Sequence, residues 1–353
     1  MMKYKIGGYL LFFCVIVFNA YSQDTTRNEG IKGKVTLSGT IVNESSNETL
    51  IGATIVIVEA NTSLMTNTYG FYSITLPHGT YTLIISYMGF DNVEEKISLT
   101  QNTQRDFVMH ENSKAISEVV IKSSTTGPNI RKSEMSINKL SIATIKKMPA
   151  MMGEVDVLKS ILQLPGVTNA QEGAAGFNVR GGSVDGNLVM LDEAIIYNTS
   201  HVFGFFSVFN ADVIKDLKLY KGGIPANYGG RVSSVLDIYQ KEGNKKEYHV
   251  NGGIGAISSR LLIEGPIVKE KSSFVVAGRG SYAHLFLKLA NEPNAAYFYD
   301  INTKLNYKLN DKNNLFVSGY LGNDKFNLSD AFINSYGNAF LNARWNHMFS
   351  DNL

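Results

Sequence analysis

The sequence predicts a mainly β chain in three successive parts. These are a small β-sandwich, a mixed α+β unit, and antiparallel β-strands of transmembrane type. Three observations predict this. Residues 32–110 carry short alternating runs separated by turn residues. Residues 136–243 combine one helical apolar stripe with apolar runs set between glycines. Residues 244–353 return to alternation, now in longer runs with aromatic residues near their ends.

Ahead of the first part, residues 1–22 have the layout of a secretory signal peptide. Lys3 and Lys5 supply the positive start, and Ile6 to Phe18 is an apolar stretch too short to span a bilayer as a helix. Ala20-Tyr21-Ser22 then places small residues ahead of Gln23. The single cysteine, Cys14, falls inside that stretch, so the mature chain is expected to hold no disulfide and no Cys-bound zinc. Phe12-Phe13 are too bulky for a lipoprotein cleavage box, so no lipid anchor is read there. Lys and Arg total 33 against 31 Asp and Glu, and Lys3 and Lys5 leave with the leader. So balanced a chain has no basic field for nucleic acid. No other apolar run reaches the roughly 18 residues of a membrane helix, so any contact with lipid falls to strands.

The first part reads as the runs Val35–Val42, Thr54–Glu59, Gly70–Leu76, Tyr81–Tyr87, Val93–Leu99 and Arg105–Met109. Asn43, Asn47, Asn67, Pro77-His78-Gly79 and Gly89 punctuate them, as turn residues do. Residues 111–135 are polar and include Ser123-Ser124-Thr125-Thr126-Gly127-Pro128, a linker by composition. Inside it, Ile116–Ile121 is a short β-prone island. In the middle part, Val155, Leu158, Ile161 and Leu162 share one helix face, which Pro165 ends. Leu188–Leu191, Leu217–Lys221 and Val235–Tyr239 read as strands.

The last part alternates most clearly from Tyr299 to Asn310. Tyr299, Ile301, Thr303, Leu305, Tyr307 and Leu309 take one face, and Asp300, Asn302, Lys304, Asn306, Lys308 and Asn310 the other. Ala339–Phe349 repeats the pattern, with Leu341, Trp345 and Phe349 opposite Asn342, Arg344 and Asn346. Ser273–His284 sets Phe274, Val276 and Tyr282 against Arg279 and Ser281. Links at 266–272 and 310–313 are short, and those at 285–297 and 324–338 are long. Strand length, aromatic placement and loop asymmetry favour a membrane barrel over a soluble sandwich. Near Ile257 the apolar parity switches, which fits either a tight hairpin or one bulged strand.

Catalytic readings are poor. The 6 histidines are scattered and none has zinc-peptidase spacing. Ser183 lies in Gly-Gly-Ser-Val-Asp, which lacks the second glycine of a nucleophile elbow. The glycine clusters match neither a P-loop nor a dinucleotide fingerprint and read as tight turns. Asp192-Glu193 reads as a turn rather than an acid/base pair, because neighbours on a strand point to opposite faces. No enzyme activity, cofactor or metal is expected.

The densest motifs are Gly176-Phe177-Asn178-Val179-Arg180-Gly181-Gly182, Leu188-Val189-Met190-Leu191-Asp192 and Tyr220-Lys221-Gly222-Gly223-Ile224-Pro225-Ala226-Asn227-Tyr228-Gly229-Gly230-Arg231. In these motifs residues 136–243 resemble the plug domain of TonB-dependent outer-membrane receptors. Gly52-Ala53-Thr54, Thr68-Tyr69-Gly70-Phe71-Tyr72, Leu76-Pro77, Gly79-Thr80-Tyr81 and Tyr87-Met88-Gly89-Phe90 resemble the carboxypeptidase-regulatory-like domain, a name that implies no peptidase activity. The resemblance implies a receptor in the outer membrane with its first domain in the periplasm. It implies energised uptake of a bulky scarce nutrient: an iron chelate, cobalamin, a glycan or a peptide. The implied partners are an inner-membrane energy-transducing TonB protein, outer-membrane lipid and the nutrient, with no nucleic acid. Such barrels close with about 22 strands, so residues 244–353 look like the N-terminal part of a truncated barrel.

The same resemblance implies site residues. Arg180 and Arg231 would anchor plug to barrel by bonding glutamates of its wall, or else be solvated surface arginines. Ser117, Glu118, Val119, Val120 and Ile121 are the candidate TonB box, an extended segment that a partner's sheet edge can pair with; an ordinary strand is the other reading. Tyr197, His201, Phe203, Phe205 and Phe206 would form a plug loop facing substrate, or else pack in the plug core. Glu193 departs from the Asp-Gly that plugs often carry and puts a tight turn after Leu191 in doubt. The alternative function is a cell-surface adhesion or binding protein built of β-sandwiches, which predicts soluble sandwiches after residue 244. A secreted peptidase is disfavoured by the missing metal ligands.

Overall fold

A computed structural model describes residues 33–112, 137–148, 154–170, 176–291, 295–328 and 332–349. Residues 1–22, expected to be a signal peptide, and the Ile116–Ile121 island lie outside them.

The first part is a two-sheet sandwich. One sheet holds β1 (Lys34–Asn43), β4 (Phe71–Pro77), β7 (Thr103–Gln104) and β8 (Phe107–Met109). The other runs β3 (Thr62–Met65), β2 (Thr54–Ile57), β5 (Gly79–Ser86), β6 (Val93–Leu99). Alternation decides which side chains are inside: Ile55 and Ile57, then Leu83 and Ile85, are fully buried against Leu37, Ile41, Leu99 and Met109. The expected runs all form strands, and β3 is an addition to them. Of Arg105–Met109 only Phe107–Met109 is strand (β8); β7 lies just ahead of the run, and each of the two pairs parallel with a different stretch of β1. At Gly39 the Arg105 carbonyl crosses β1 so closely that a Cβ would overlap it. Gly39→Ala is therefore expected to cost the domain about 1–3 kcal/mol or more. A lowered thermal midpoint of the first transition would show it.

The middle part is built on a five-stranded sheet. In chain order its elements are β9 (Ile137–Ser141), α1 (Ile142–Lys146), α2 (Val157–Ile161), β10 (Val167–Asn169), β11 (Phe177–Val179), β12 (Asn187–Leu191), β13 (Ala194–Ile195), β14 (Ser200–His201), β15 (Phe206–Ser207), β16 (Ile214–Tyr220) and β17 (Ser234–Gln240). The sheet order is β13-β12-β17-β16-β9, with β12 and β17 parallel. Both strands are buried throughout, which explains why Leu188–Leu191 and Val235-Leu236 are apolar on both faces; Asp237, buried in mid-β17, accepts from the Tyr228 hydroxyl at 2.7 Å. One face packs Leu217, Leu219, Leu236 and Ile238 on Val157, Leu158 and Ile161 of α2. The helix is a short one. Asp156 caps it, accepting from the Lys159 amide at 3.1 Å, so Val155 lies outside the helical face assigned to it.

The last part is one antiparallel six-stranded sheet in chain order, from β18 (His249–Ile254), β19 (Ser258–Val268) and β20 (Ser272–Ser281) to β21 (Ala295–Asn310), β22 (Asn313–Leu328) and β23 (Phe332–His347). The parity switch near Ile257 is a hairpin between β18 and β19. Strand β20 stops at Ser281, and α3 (Ala283–Leu289) takes up the residues expected to extend it. Strands β21, β22 and β23 each have 16 residues, longer than alternation suggested. At about 3.3 Å per residue and a tilt near 45°, each rises about 37 Å, more than the ~30 Å of hydrocarbon. The stretch 324–338 expected as a long loop is mostly this overshoot: Asp324 pairs with Tyr336 and Asn327 with Ile333. A polar ladder outside lipid still satisfies its backbone, so polarity did not mark the strand end.

The odd-numbered residues of β21 and β22 face outward: Tyr299, Ile301, Leu305, Tyr307, Leu309, Leu315 and Leu321 are exposed. The even-numbered ones face the central sheet: Asp300, Asn302, Lys304, Asn306, Phe316, Ser318, Tyr320 and Asp324 are buried. No second sheet packs on the exposed side among the described residues. The soluble sandwiches that the adhesion reading predicts after residue 244 are therefore absent there.

Candidate functional site

Where the wall β18–β23 meets the middle part, the contact is buried and carries many polar groups beside an apolar patch of Val213 on Leu262, Val275 and Ala277. A strand facing lipid on one side has its polar residues on the other, and these need partners once water is gone. The plug-side loops supply them.

One group centres on Arg279 of β20. Its guanidinium is buried between Asp300 (2.7 Å) and Glu154 (3.2 Å) and donates to the Ser207 carbonyl at 2.7 Å. Asp300 also meets His201 Nε2 at 3.2 Å, and His201 Nδ1 lies 2.7 Å from Asp324. The His201 ring stacks on Phe298, with centroids 4.4 Å apart. Burial drives the His201 pKa down, but hydrogen bonds to Asp300 and Asp324 outweigh it and leave the pKa raised above the ordinary value.

A second group is built on Asp192-Glu193. Both residues take left-handed backbone, φ 47° and 71°, and make the two-residue hairpin between β12 and β13. The tight turn that glutamate put in doubt does form. The wall compensates for the missing glycine. The Asp192 carboxylate accepts from Lys304 Nζ at 3.0 Å and from the Gln240 amide at 3.0 Å. The Asp192 carbonyl accepts from Asn342 at 2.6 Å, and Glu193 pairs with Arg344 at 2.9 Å. On β19, level with Arg279 in the strand register, Arg260 meets Asp212 at 2.8 Å, and Asp212 also takes Lys146 at 3.0 Å. Burial raises its pKa, but these two cations hold it below the usual range.

The aromatic loop splits in two. His201 and Phe206 are buried in the seam, so neither faces outward as the substrate reading expected. Their β14–β15 hairpin turns its ends toward Phe298 and the wall carboxylates, where ring burial and ion pairing both gain. Tyr197 is 80% exposed, and Phe203 and Phe205 are nearly half exposed. Val202 and Phe203 adopt φ of 51° and 54°, unusual for a β-branched and an aromatic residue. The Val202 amide donates to Asp324 at 2.8 Å, and the Phe203 ring lies 4.0 Å from Phe326.

Arg180 and Arg231 are both exposed. The Arg180 guanidinium lies over Gly222, beyond the end of β16. Arg231 donates to the Gly230 carbonyl at 3.1 Å and lines a cavity of about 390 Å³ with Phe177, Val184, Asp185 and Tyr197. Within the described wall, Arg260, Arg279, Lys304 and Arg344 carry the arginine and lysine contacts to the plug instead. Sequence reasoning placed these residues on the correct strand face but had no signal for their partners, which lie more than 100 positions away. The candidate TonB box, Ser117 to Ile121, lies outside the described residues.

Comparisons with known proteins fit this architecture. The CarboxypepD_reg-like domain model matches residues 37–121. The TonB-dependent Receptor Plug Domain model matches residues 129–234. Among solved structures, the siderophore receptor PirA from Acinetobacter baumannii is 16% identical, with TM-score 0.42 over 56% of this chain and 33% of that one. PirA from Pseudomonas aeruginosa is 15% identical, with TM-score 0.46 over 62% and 39%. The ferric enterobactin receptor PfeA from Pseudomonas aeruginosa, as an R480A mutant with enterobactin, is 16% identical, with TM-score 0.40 over 54% and 33%. The chain thus spans about a third of the length of these structures. No curated protein matches it. The chain carries a CarboxypepD_reg-like domain and then a TonB-dependent receptor plug domain, ahead of a barrel-type β-sheet, the order of parts of a TonB-dependent receptor.

Proposed function

We propose that this chain belongs to an outer-membrane transporter that takes up a bulky scarce nutrient with energy delivered by an inner-membrane TonB protein. The nutrient class is an iron chelate, cobalamin, a glycan or a peptide. One observation carries the reading: the long strands expose an apolar face, and their polar face is buried on a plug. Lipid suits the first face, and an enclosed lumen suits the second. In this reading the plug blocks the pore, the sandwich hangs in the periplasm, and no covalent step occurs. Arg180 and Arg231 anchor the plug to further wall strands. Tyr197, Phe203 and Phe205 face incoming nutrient. Growth of a gene-deletion strain on single nutrient sources, with and without complementation, tests it. Growth lost on one nutrient class and restored by the gene supports uptake; unimpaired growth on all of them contradicts it.

Ser117 to Ile121 serve as the TonB contact by strand addition. Val119→Pro removes a backbone donor from that strand. Uptake is expected to be abolished while nutrient binding to whole cells stays intact. Normal uptake in this variant would rule the segment out.

A further inference from the structure

The plug gives way to the wall at residues 241–248, and there the N-terminal sandwich meets both. Gly243 (φ +88°) passes the Phe274 carbonyl of β20 so closely that a Cβ would lie 2.5 Å from its oxygen. Just before it, Glu242 is buried. Its carboxylate accepts from Thr49 Oγ1 of the sandwich at 2.8 Å, and it accepts from Asn306 Nδ2 of β21 at 2.8 Å. Lys215 Nζ of β16 lies 3.4 Å away and Lys245 Nζ 3.3 Å away. One side chain therefore touches all three parts.

The sandwich adds more than a hydroxyl. Glu48 lies 3.5 Å from Lys215 Nζ and accepts the Glu242 amide. The Ser46 carbonyl accepts the Lys245 amide at 2.9 Å. The Glu44 carbonyl accepts Lys246 Nζ at 2.5 Å. Without Glu48, the buried ammoniums of Lys215 and Lys245 would share Glu242 alone. A buried cation short of a counter-charge is costly, so the sandwich completes a neutral cluster. Burial pushes the Lys215 pKa down, yet Glu242 and Glu48 hold it above its ordinary value.

We propose that the N-terminal sandwich is a clasp on the plug-to-wall junction: its Glu44–Thr49 turn docks there, keyed by Glu48 against Lys215, and docking tightens the plug in the wall. The coupling is reciprocal. Anything that frees the sandwich loosens the plug, and anything that unseats the plug weakens docking. Glu242 is the shared element, since it binds Thr49 and Asn306 with the same carboxylate group.

The test uses the full-length chain in detergent micelles with Ser45→Cys and Lys246→Cys, cross-linked by a short bis-maleimide. High cross-linking yield is expected. Adding Glu48→Lys is expected to slow cross-linking by roughly tenfold or more. Adding Lys215→Glu to that variant restores an oppositely charged pair and is expected to recover most of the rate. Amide exchange at Gln240, whose N–H is held by Asp192, is expected to quicken in Glu48→Lys and to slow again in the charge swap. No cross-linking in the starting pair overturns docking. Equal rates in Glu48→Lys overturn the key, and unchanged exchange at Gln240 overturns the coupling. Each outcome is read without nutrient uptake, so it stands apart from the transport reading.

Discussion

Arg279→Ala is expected to lower the stability of the plug–wall unit by about 3–5 kcal/mol, the usual penalty for removing one partner of a buried ion pair. Arg279 is 5% exposed and Asp300 is fully buried, so water cannot replace the lost guanidinium. Glu154 loses a partner too, keeping among the described residues the Ser258 hydroxyl at 2.7 Å. Arg279→Lys restores a charge but not the fork that reaches Asp300, Glu154 and the Ser207 carbonyl together, so it should recover part of the loss. Arg344→Ala is the contrasting case. Its partner Glu193 is 42% exposed on its side chain, so the ion pair contributes about 0–1 kcal/mol, and the Tyr69 and Phe316 rings at 4.8 and 4.7 Å add about 0.5–1 kcal/mol each. The guanidinium midpoints of the three variants, measured in detergent, should rank in that order. A midpoint for Arg279→Ala no lower than that for Arg344→Ala would show that this buried cluster does not hold the seam.

The second large effect is pH dependence at His201. Its folded pKa is raised above the unfolded value of about 6.5. A raised pKa means the folded state binds the proton more tightly. The stabilisation is then fully present below pH ~6.5 and is lost as pH rises through the folded value. The seam should therefore hold best at mildly acidic pH and weaken toward alkaline pH. Every charged group facing the ring takes part: Asp300 and Asp324 favour the imidazolium, and Arg279 opposes it. His201→Phe keeps a ring to stack on Phe298 but leaves buried Asp324 with the Val202 amide and no cation. It should cost about 3–5 kcal/mol at pH 6 and flatten the profile above pH ~6.5. Unfolding midpoints across pH 5–9 for both proteins check this. An unchanged slope in the variant would assign the pH dependence to other groups.

Much of this architecture was legible because it rests on local periodicity. A strand with two different environments must alternate, and Tyr299–Asn310 does so without interruption. The sandwich runs were legible for the same reason, and the buried β12 through its unbroken apolar run Leu188–Leu191. Boundaries were less legible. The β22–β23 ladder continues through Asn323, Asp324, Asn334 and Ser335, where polarity suggested a loop, because pairing rather than hydrophobicity sustains strands outside lipid. Strand β3 was missed since Thr62–Met65 is only half-buried and carries no alternation. At Asp192-Glu193, propensity argued against a tight turn. The turn forms because Lys304 and the Gln240 amide bind one Asp192 carboxylate oxygen and Asn342 binds its carbonyl, which outweighs two unfavourable backbone conformations.

The sequence by itself determined which faces are greasy and which are wet, the order of sandwich, plug and wall, and the glycine-rich turns that compact the plug. These depend on spacings of two to a few residues, which any single chain displays. Only the tertiary structure decided that His201 is clamped between Asp300 and Asp324, that Arg279 rather than Arg180 or Arg231 holds the described wall, and that Glu242 joins three parts. An ion pair is chosen by distance in space. Carboxylates and cations separated by many tens of positions carry no mark of each other until the backbone brings them within 3–4 Å and burial removes the water that would otherwise serve either one.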